Sequence, residues 1–388
     1  MKQSAKLLFV FILLFALSAL SNAQDGSVVK TKSFNVDKGG VLNVAVSSGD
    51  IFISTWNKNE VGIKIKADDN DILNNISTTL AGNTVKIKSD RSNHWNWSGN
   101  VSIFINIPTD FNTEINTMGG DVRQTGDLKG TATIFTAGGD VTIGNVTGRT
   151  TLKSNGGDIT TGNIGNDLNL STNGGDVRTG IINGKANINT MGGDITIKSA
   201  GSSTNVSTMG GDINIGNIGG KAQIKTMGGS IEVGKVSGNA SINTYGGDIS
   251  LSGAKGSIDA TTYGGGIRMT NLIGSVNADT KSGDVYIELN PSENGASKIK
   301  SMNGNVTLYL PANAKVYVSA TVLARHYNKY EDEKDLSDLI RSDFGTQSQL
   351  LTQDRKGDKI ITKYSINGGG NSNIEIYTVN GTIEIKKK

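Results

Sequence analysis

An all-β chain built on a parallel β-solenoid (β-helix) of 18-residue coils is expected from three features of this sequence. Gly-Gly pairs recur at Gly119-Gly120, Gly138-Gly139, Gly156-Gly157, Gly174-Gly175, Gly192-Gly193, Gly210-Gly211, Gly228-Gly229, Gly246-Gly247 and Gly264-Gly265. The first interval is 19 residues and the rest are 18, and Ser282-Gly283-Asp284 continues the register. Between the pairs, apolar and polar residues alternate with period two, the mark of half-buried strand rather than helix. A unit this short cannot bury its own apolar face, but stacked on its neighbours at ~4.8 Å per coil it can. Gly-rich disorder would not keep apolar residues in register over so many units.

The chain opens with a segment expected to lie outside the fold. Lys2 and Lys6 are followed by the apolar and small run Leu7 to Leu20 and by Ser21-Asn22-Ala23. This is the pattern of a secretory signal peptide, residues 1–23, cleaved after Ala23. The run is shorter than the ~20 residues of a spanning helix. No second apolar run follows, so no membrane span is expected in the mature chain. Cysteine is absent, which removes disulfides, thiolate metal sites and a lipid-modified Cys. The composition holds 52 Gly but only 3 Pro, which is not collagen. A net charge of +3, with Lys and Asp interspersed, gives no case for nucleic acid.

Residues 24–116 are read as a strand-rich N-terminal cap. Val41 to Val46 and Val101 to Ile107 both alternate, and Ser48-Gly49-Asp50-Ile51 is a worn copy of the coil motif. Residues 117–288 are the regular solenoid. One unit runs from Gly210 to Met227, with apolar Ile213 and Ile215, then Ala222, Ile224 and Thr226. Its glycines, the pair with Gly216 and Gly220, are candidate corners where φ can be positive without steric cost. The position after Asp, from Val122 to Val285, and the later position from Leu152 to Ile242 should form aliphatic ladders in the lumen. Two residues on, a hydroxyl ladder from Ser154 to Thr280 shares that parity and is placed inward, bonded to backbone or to the next coil. Residues 289–388 form an irregular C-terminal cap. Asn303-Gly304-Asn305-Val306 and Asn380-Gly381-Thr382-Ile383 are degenerate closing coils, and the charged segment 325–360 is an exposed insertion in which Glu331 to Arg341 suits a short helix.

The position after the hydroxyl accepts Ala137, Asn155 and Lys281 and is therefore outward. In successive coils it holds Met191, Met209, Met227, Tyr245 and Tyr263, a candidate contact stripe. The alternative is that these side chains fold over the Gly-Gly corner and serve stability alone. A second candidate is the acidic ladder that includes Asp176, Asp194 and Asp212. Stacked carboxylates invite calcium between coils. The calcium-binding nonapeptide also closes an 18-residue coil, but this chain has one Gly-Gly per coil and Asp directly after it. Ser230 and Gly266 interrupt the ladder, which favours a turn-capping role in which each Asp accepts backbone N–H groups. No metal or cofactor is expected.

Catalytic groups are poorly supplied. The two histidines, His94 and His326, lie in different regions, and no nucleophile elbow or H-E-x-x-H motif occurs. The cluster His94-Trp95-Asn96-Trp97-Ser98 could stack on a sugar ring or pack as a loop on the N-terminal strands.

Three stretches resemble the bacterial "putative adhesin" family of β-strand-repeat proteins, DUF4097. They are Gly39-Gly40-Val41-Leu42-Asn43-Val44 with Gly49-Asp50-Ile51 and Trp56; the strand ending at Ile107-Pro108; and the Gly-Gly-Asp repeats with the closing Asn367-Gly368-Gly369-Gly370 and Asn380-Gly381. The resemblance implies an exported or envelope-associated β-solenoid with an adhesion role and no catalytic residues to carry over. The expected function is thus a non-enzymatic binding scaffold, periplasmic, surface-bound or secreted, with a cell-surface, glycan or envelope-protein partner. A polysaccharide-active β-helix enzyme and an envelope-stress accessory protein are the alternatives. An enzyme would show one groove with converging carboxylates, and a scaffold would show uniform ladders.

Overall fold

The computed structural model describes residues 27–89, 100–324, 336–345, 348–354 and 357–388. The segment read as a signal peptide, the His94–Ser98 cluster and His326 lie outside the described residues. Each regular coil contributes two main strands. In the unit beginning at Gly210 they are Ile213–Ile218 and Ala222–Lys225. Each pairs in parallel with its equivalents one coil before and after, so Ile213 lies between Ile195 and Ile231, and Ile224 between Val206 and Ile242. The ladder between coils is made of backbone bonds such as Ile195 N–H to the Asp212 carbonyl at 2.9 Å. A third, narrower face runs through Leu128, Val146, Ile164 and Ile182 as single bridges, and then through Ile182, Ala200, Ile218 and Val236. The chain is therefore a parallel β-solenoid with its core in the lumen.

The lumen is filled by the side chains that the alternation assigns to it. Val122, Ile159, Ile195, Ile213 and Ile249 are at most 1% exposed, and so are Leu152, Ile188, Ile224 and Ile242. Burial of such a side chain stabilises by about 1.5–3 kcal/mol, so the repetition itself accounts for much of the stability of a chain without disulfides. The hydroxyl ladder is buried too. Thr208 Oγ1 donates to the carbonyl of Gly193 in the preceding coil at 3.0 Å and accepts the N–H of Gly211 at 3.3 Å. Thr172, Thr190, Thr226 and Thr244 repeat that pattern.

The glycines at the corners serve a different purpose from the one expected. Of the Gly-Gly pairs, only Gly120 has a left-handed backbone, with φ of 95°. The requirement in the regular coils is close approach. A Cβ on Gly211 would stand 2.2 Å from the Gly193 carbonyl oxygen, a contact no side chain can make. Successive coils stack backbone on backbone here, and any larger residue would wedge them apart.

Both ends are closed by strands that interleave. At the N-terminal end, Gly40–Val46 and Asp50–Trp56 form the layer next to the first regular coil, pairing with Phe111–Thr117 and Val122–Thr125. The chain then runs outward and returns, so that Thr84–Ser89 and Val101–Pro108 pair on the far side of that layer. Antiparallel Glu60–Ala67, Val28–Asn35 and Ile76–Ala81 complete the cap. Lys30 and Lys32 reach across it to the carbonyls of Ile76 and Thr78, at 3.0 and 2.8 Å. The helical turn Asn70–Asn74, capped by Asp69, buries Ile72 and Leu73 there.

The C-terminal end mirrors this arrangement. Asn373–Val379 lies between Ala296–Ser301 and Val316–Ala324. Ile383–Lys387 lies between Val306–Leu310 and Ile340–Ser342. Beyond Val316–Ala324 the sheet continues antiparallel through Gly357–Ile366 and Ser348–Asp354. The described part of segment 325–360 thus contains strands that extend the sheet, together with a single 3-10 turn at Leu336–Leu339.

Candidate functional site

The strand parity that buries Thr226 turns Met227 outward just before the Gly-Gly corner. The same holds in each coil, so Met191, Met209, Met227, Tyr245 and Tyr263 stack one above another, 44–61% exposed. Backbone bonds hold the column in step: Met209 N–H donates to the Met191 carbonyl and Tyr263 N–H to that of Tyr245, both at 3.2 Å. The Tyr245 and Tyr263 rings lie 4.7 Å apart and within 8° of parallel. Lys281 continues the column, its Nζ 4.4 Å from the Tyr263 ring centroid and donating to the Tyr263 hydroxyl at 3.3 Å. At ~4.8 Å per coil the five side chains make an apolar and aromatic strip about 20 Å long, closed at one end by a cation. Toward the N-terminus, Asn173, Asn155 and Ala137 separate it from exposed Met118.

The acidic ladder sits beside this strip, directly after each Gly-Gly pair. Asp176 Oδ1 accepts the backbone N–H of Asp194, and Asp194 Oδ1 that of Asp212, at 2.9 and 2.8 Å. The ladder begins in the cap, where Asp50 Oδ1 takes the N–H of Asp121, and returns beyond the regular coils, where Asp284 takes that of Asn305. Where Ser230 replaces Asp, its hydroxyl accepts the Asp248 N–H at 3.2 Å. Each carboxylate is thus engaged by the next coil's backbone, and the partial positive charge of that N–H offsets repulsion between rungs. Arg178 adds an ion pair to Asp176 at 2.8 Å. Among the described residues no group of three or more His, Cys, Asp or Glu side chains could hold a metal ion.

The other two corners carry amide and acid rungs that the sequence reading did not single out. Asn145 Oδ1 accepts the N–H of Asn163, and Asn163 Oδ1 that of Ile181. At the third corner Asp167 accepts the N–H of Lys185 and Asn239 that of Ser257. The signal was available, since Asn145, Asn163 and Asn217 each fall five residues after a ladder Asp.

Perturbed ionisation lies elsewhere, near the C-terminus. A hydrogen bond from Lys388 holds the Glu288 carboxyl below its ordinary range. Desolvation and a hydrogen bond to Glu288 push the Tyr286 hydroxyl up. These groups belong to a surface cluster with Arg268, whose guanidinium lies 4.1 Å from the Tyr286 ring centroid.

No curated protein matches the chain. Among solved structures it is similar to a "putative adhesin" from Bacteroides fragilis at 20% identity, over 68% of this chain and 97% of that one, with a TM-score of 0.28. A "putative lipid binding protein" from Parabacteroides distasonis matches at 13% identity over 68% and 97%, with a TM-score of 0.23. A "putative cell adhesion protein" from Clostridium sporogenes matches at 11% identity over 93% and 100%, with a TM-score of 0.19. The Toastrack DUF4097 family profile matches residues 39–217 and 185–343, two overlapping stretches that together take in most of the chain and all of its regular coils. The chain belongs to the Toastrack DUF4097 family.

Proposed function

We propose that the protein is an exported, non-enzymatic binding scaffold of the cell envelope or surface, and that Met191, Met209, Met227, Tyr245 and Tyr263 are its contact surface. The observation that carries this reading is the continuity of the strip. Other exposed large apolar side chains, such as Val29, Leu80 and Leu350, are scattered over the molecule, whereas these five occupy successive coils. Contiguous exposed apolar surface on a soluble protein commonly marks an interaction site. Met adapts its shape to a partner, and Tyr offers a flat face with a polar tip. The basic start, apolar run and Ser21-Asn22-Ala23 support export. No helix among the described residues is long and apolar enough to cross a membrane.

The enzyme reading asks for converging carboxylates. A groove spanning several coils has Asp259 as its one acidic lining residue, whereas glycoside hydrolysis ordinarily takes two carboxyl groups. Regular rungs of Asp, each spent on backbone, support a scaffold instead.

Replacing Met209, Met227 and Tyr245 together by Ser tests the proposal. The expected result is a melting temperature within a few degrees of the parent, with binding to envelope preparations of the source organism, or self-association, lost. A large fall in melting temperature with association unchanged would make the strip a cover for the Gly-Gly corner and nothing more.

A further inference from the structure

A second surface feature lies on the face formed by Ala186–Asn189, Thr204–Ser207, Ala222–Lys225 and Ala240–Asn243. It is a groove of about 620 Å³ that runs across the coils. One wall is the corner column that includes Lys185, Lys221 and Asn239. The other is the outward column of Asn187, Asn205, Gln223, Ser241 and Asp259, which the sheet register places in line. The floor is backbone, because the side chains of Ala186, Ala222 and Ala240 point into the lumen and are 2–4% exposed.

The chemistry of this lining is specific. Asn205 Nδ2 donates to Asn187 Oδ1 at 3.0 Å, while the Asn187 amide nitrogen and the Asn205 amide oxygen have no hydrogen-bond partner among the described residues. Gln223 makes no side-chain hydrogen bond among the described residues. An unspent amide offers a donor and an acceptor side by side, the pairing that suits vicinal hydroxyls or an acetamido group. The stems of Lys185 and Lys221 add apolar edges on which the C–H face of a sugar ring can rest. The rungs repeat at ~4.8 Å, close to the length of one pyranose unit in an extended chain. Each successive sugar can therefore meet one polar rung of the column.

We infer that this groove is a binding site for an extended, uncharged oligosaccharide laid along the solenoid, with one sugar unit per coil. The column is uncharged from Asn187 to Ser241, with its one carboxylate at Asp259 and the two lysines on the opposite wall, so the hydrogen bonds it offers suit a neutral polymer. With one carboxylate in the lining, the site holds a glycan without cleaving it. It lies on the strands that lead into the Met and Tyr strip, with Gln223 four residues before Met227, but no strip residue lines it, and the two can be tested apart.

The experiment is isothermal titration of the mature protein with cellohexaose, chitohexaose and mannohexaose, their shorter homologues, and hexagalacturonate. At least one neutral series binds, and affinity rises at least tenfold from the disaccharide to the pentasaccharide as successive coils are engaged, then levels. Asn205→Ala with Gln223→Ala weakens binding about tenfold with the melting temperature unchanged, as expected for losing hydrogen bonds from an outward column. Gln223→Ala alone replaces the pair if its melt moves. The Met209, Met227 and Tyr245 to Ser variant binds the sugar normally. The inference is overturned by absence of binding to every neutral hexasaccharide, or by tighter binding of hexagalacturonate. Affinity indifferent to the amide replacements, or lost in the strip variant, overturns it equally. None of these outcomes bears on envelope association, so the strip's role stands or falls separately.

Discussion

Ile213 and Asn214 are adjacent in the chain and opposite in environment, one 1% exposed in the lumen and the other in solvent. A carboxylate at the first position would lie in a column of stacked aliphatic chains with nothing to pair it, at a cost of several kcal/mol. Ile213→Asp is therefore expected to unfold or aggregate the protein, while Asn214→Asp melts within a degree or two of the parent. Equal thermal melts for the two variants would contradict the register. This parity was legible from sequence because period-two alternation is a property of a single strand and needs no knowledge of its partner. The purpose of the glycines was not. A Cβ clash with the preceding coil, as at Gly211, depends on how closely two backbones approach, and φ preferences carry no trace of that distance.

The corners are elements of their own, each a column of side chains that tie one turn to the next. In the acidic column one oxygen of each carboxylate is already taken by a backbone N–H, as Asp194 Oδ1 is by Asp212, which leaves only one oxygen per rung for a cation. Thermal melts of the mature protein in millimolar calcium and in chelator should therefore superimpose. A rise of many degrees with calcium would show that the ions displace those bonds and order the corner. The Asp column could be read as a turn cap because Gly-Gly-Asp is a visible motif. The Asn145 and Asn163 column escaped because its rungs alternate with Ile181, Ser199 and Lys235, which contribute only backbone. The narrow third face escaped for a similar reason, since a single bridge such as Val146 to Ile164 is too short to alternate.

In the molecule as a whole, each coil touches mainly its neighbours, so the regular region behaves as a one-dimensional stack. Deleting residues 193–210 joins Gly192 to Gly211 and keeps every register. Such a variant should fold and melt within several degrees of the parent. Ending the chain after residue 366 removes the strands that lie between Ala296–Ser301 and Val316–Ala324 and between Val306–Leu310 and Ile340–Ser342. The truncated protein should be protease-sensitive and prone to aggregate, although it loses about as many residues as the internal deletion. Comparable melts for both would mean that the closing strands are dispensable. The worn motifs at Asp50, Asn305 and Thr382 showed in the sequence that coil-like segments continue into both caps, and the structure puts them on the same ladder. Their order in the sheet could not be read, because strands distant in the chain interleave and no period records that.

Because the ends interleave, whole turns are most simply added or removed between them. The repeats keep one spacing, so adding or removing a whole turn changes the chain by 18 residues and the stack by ~4.8 Å. Copy number would then act as a ruler, setting how far apart the two caps stand and how many rungs any ligand lying along the barrel can meet.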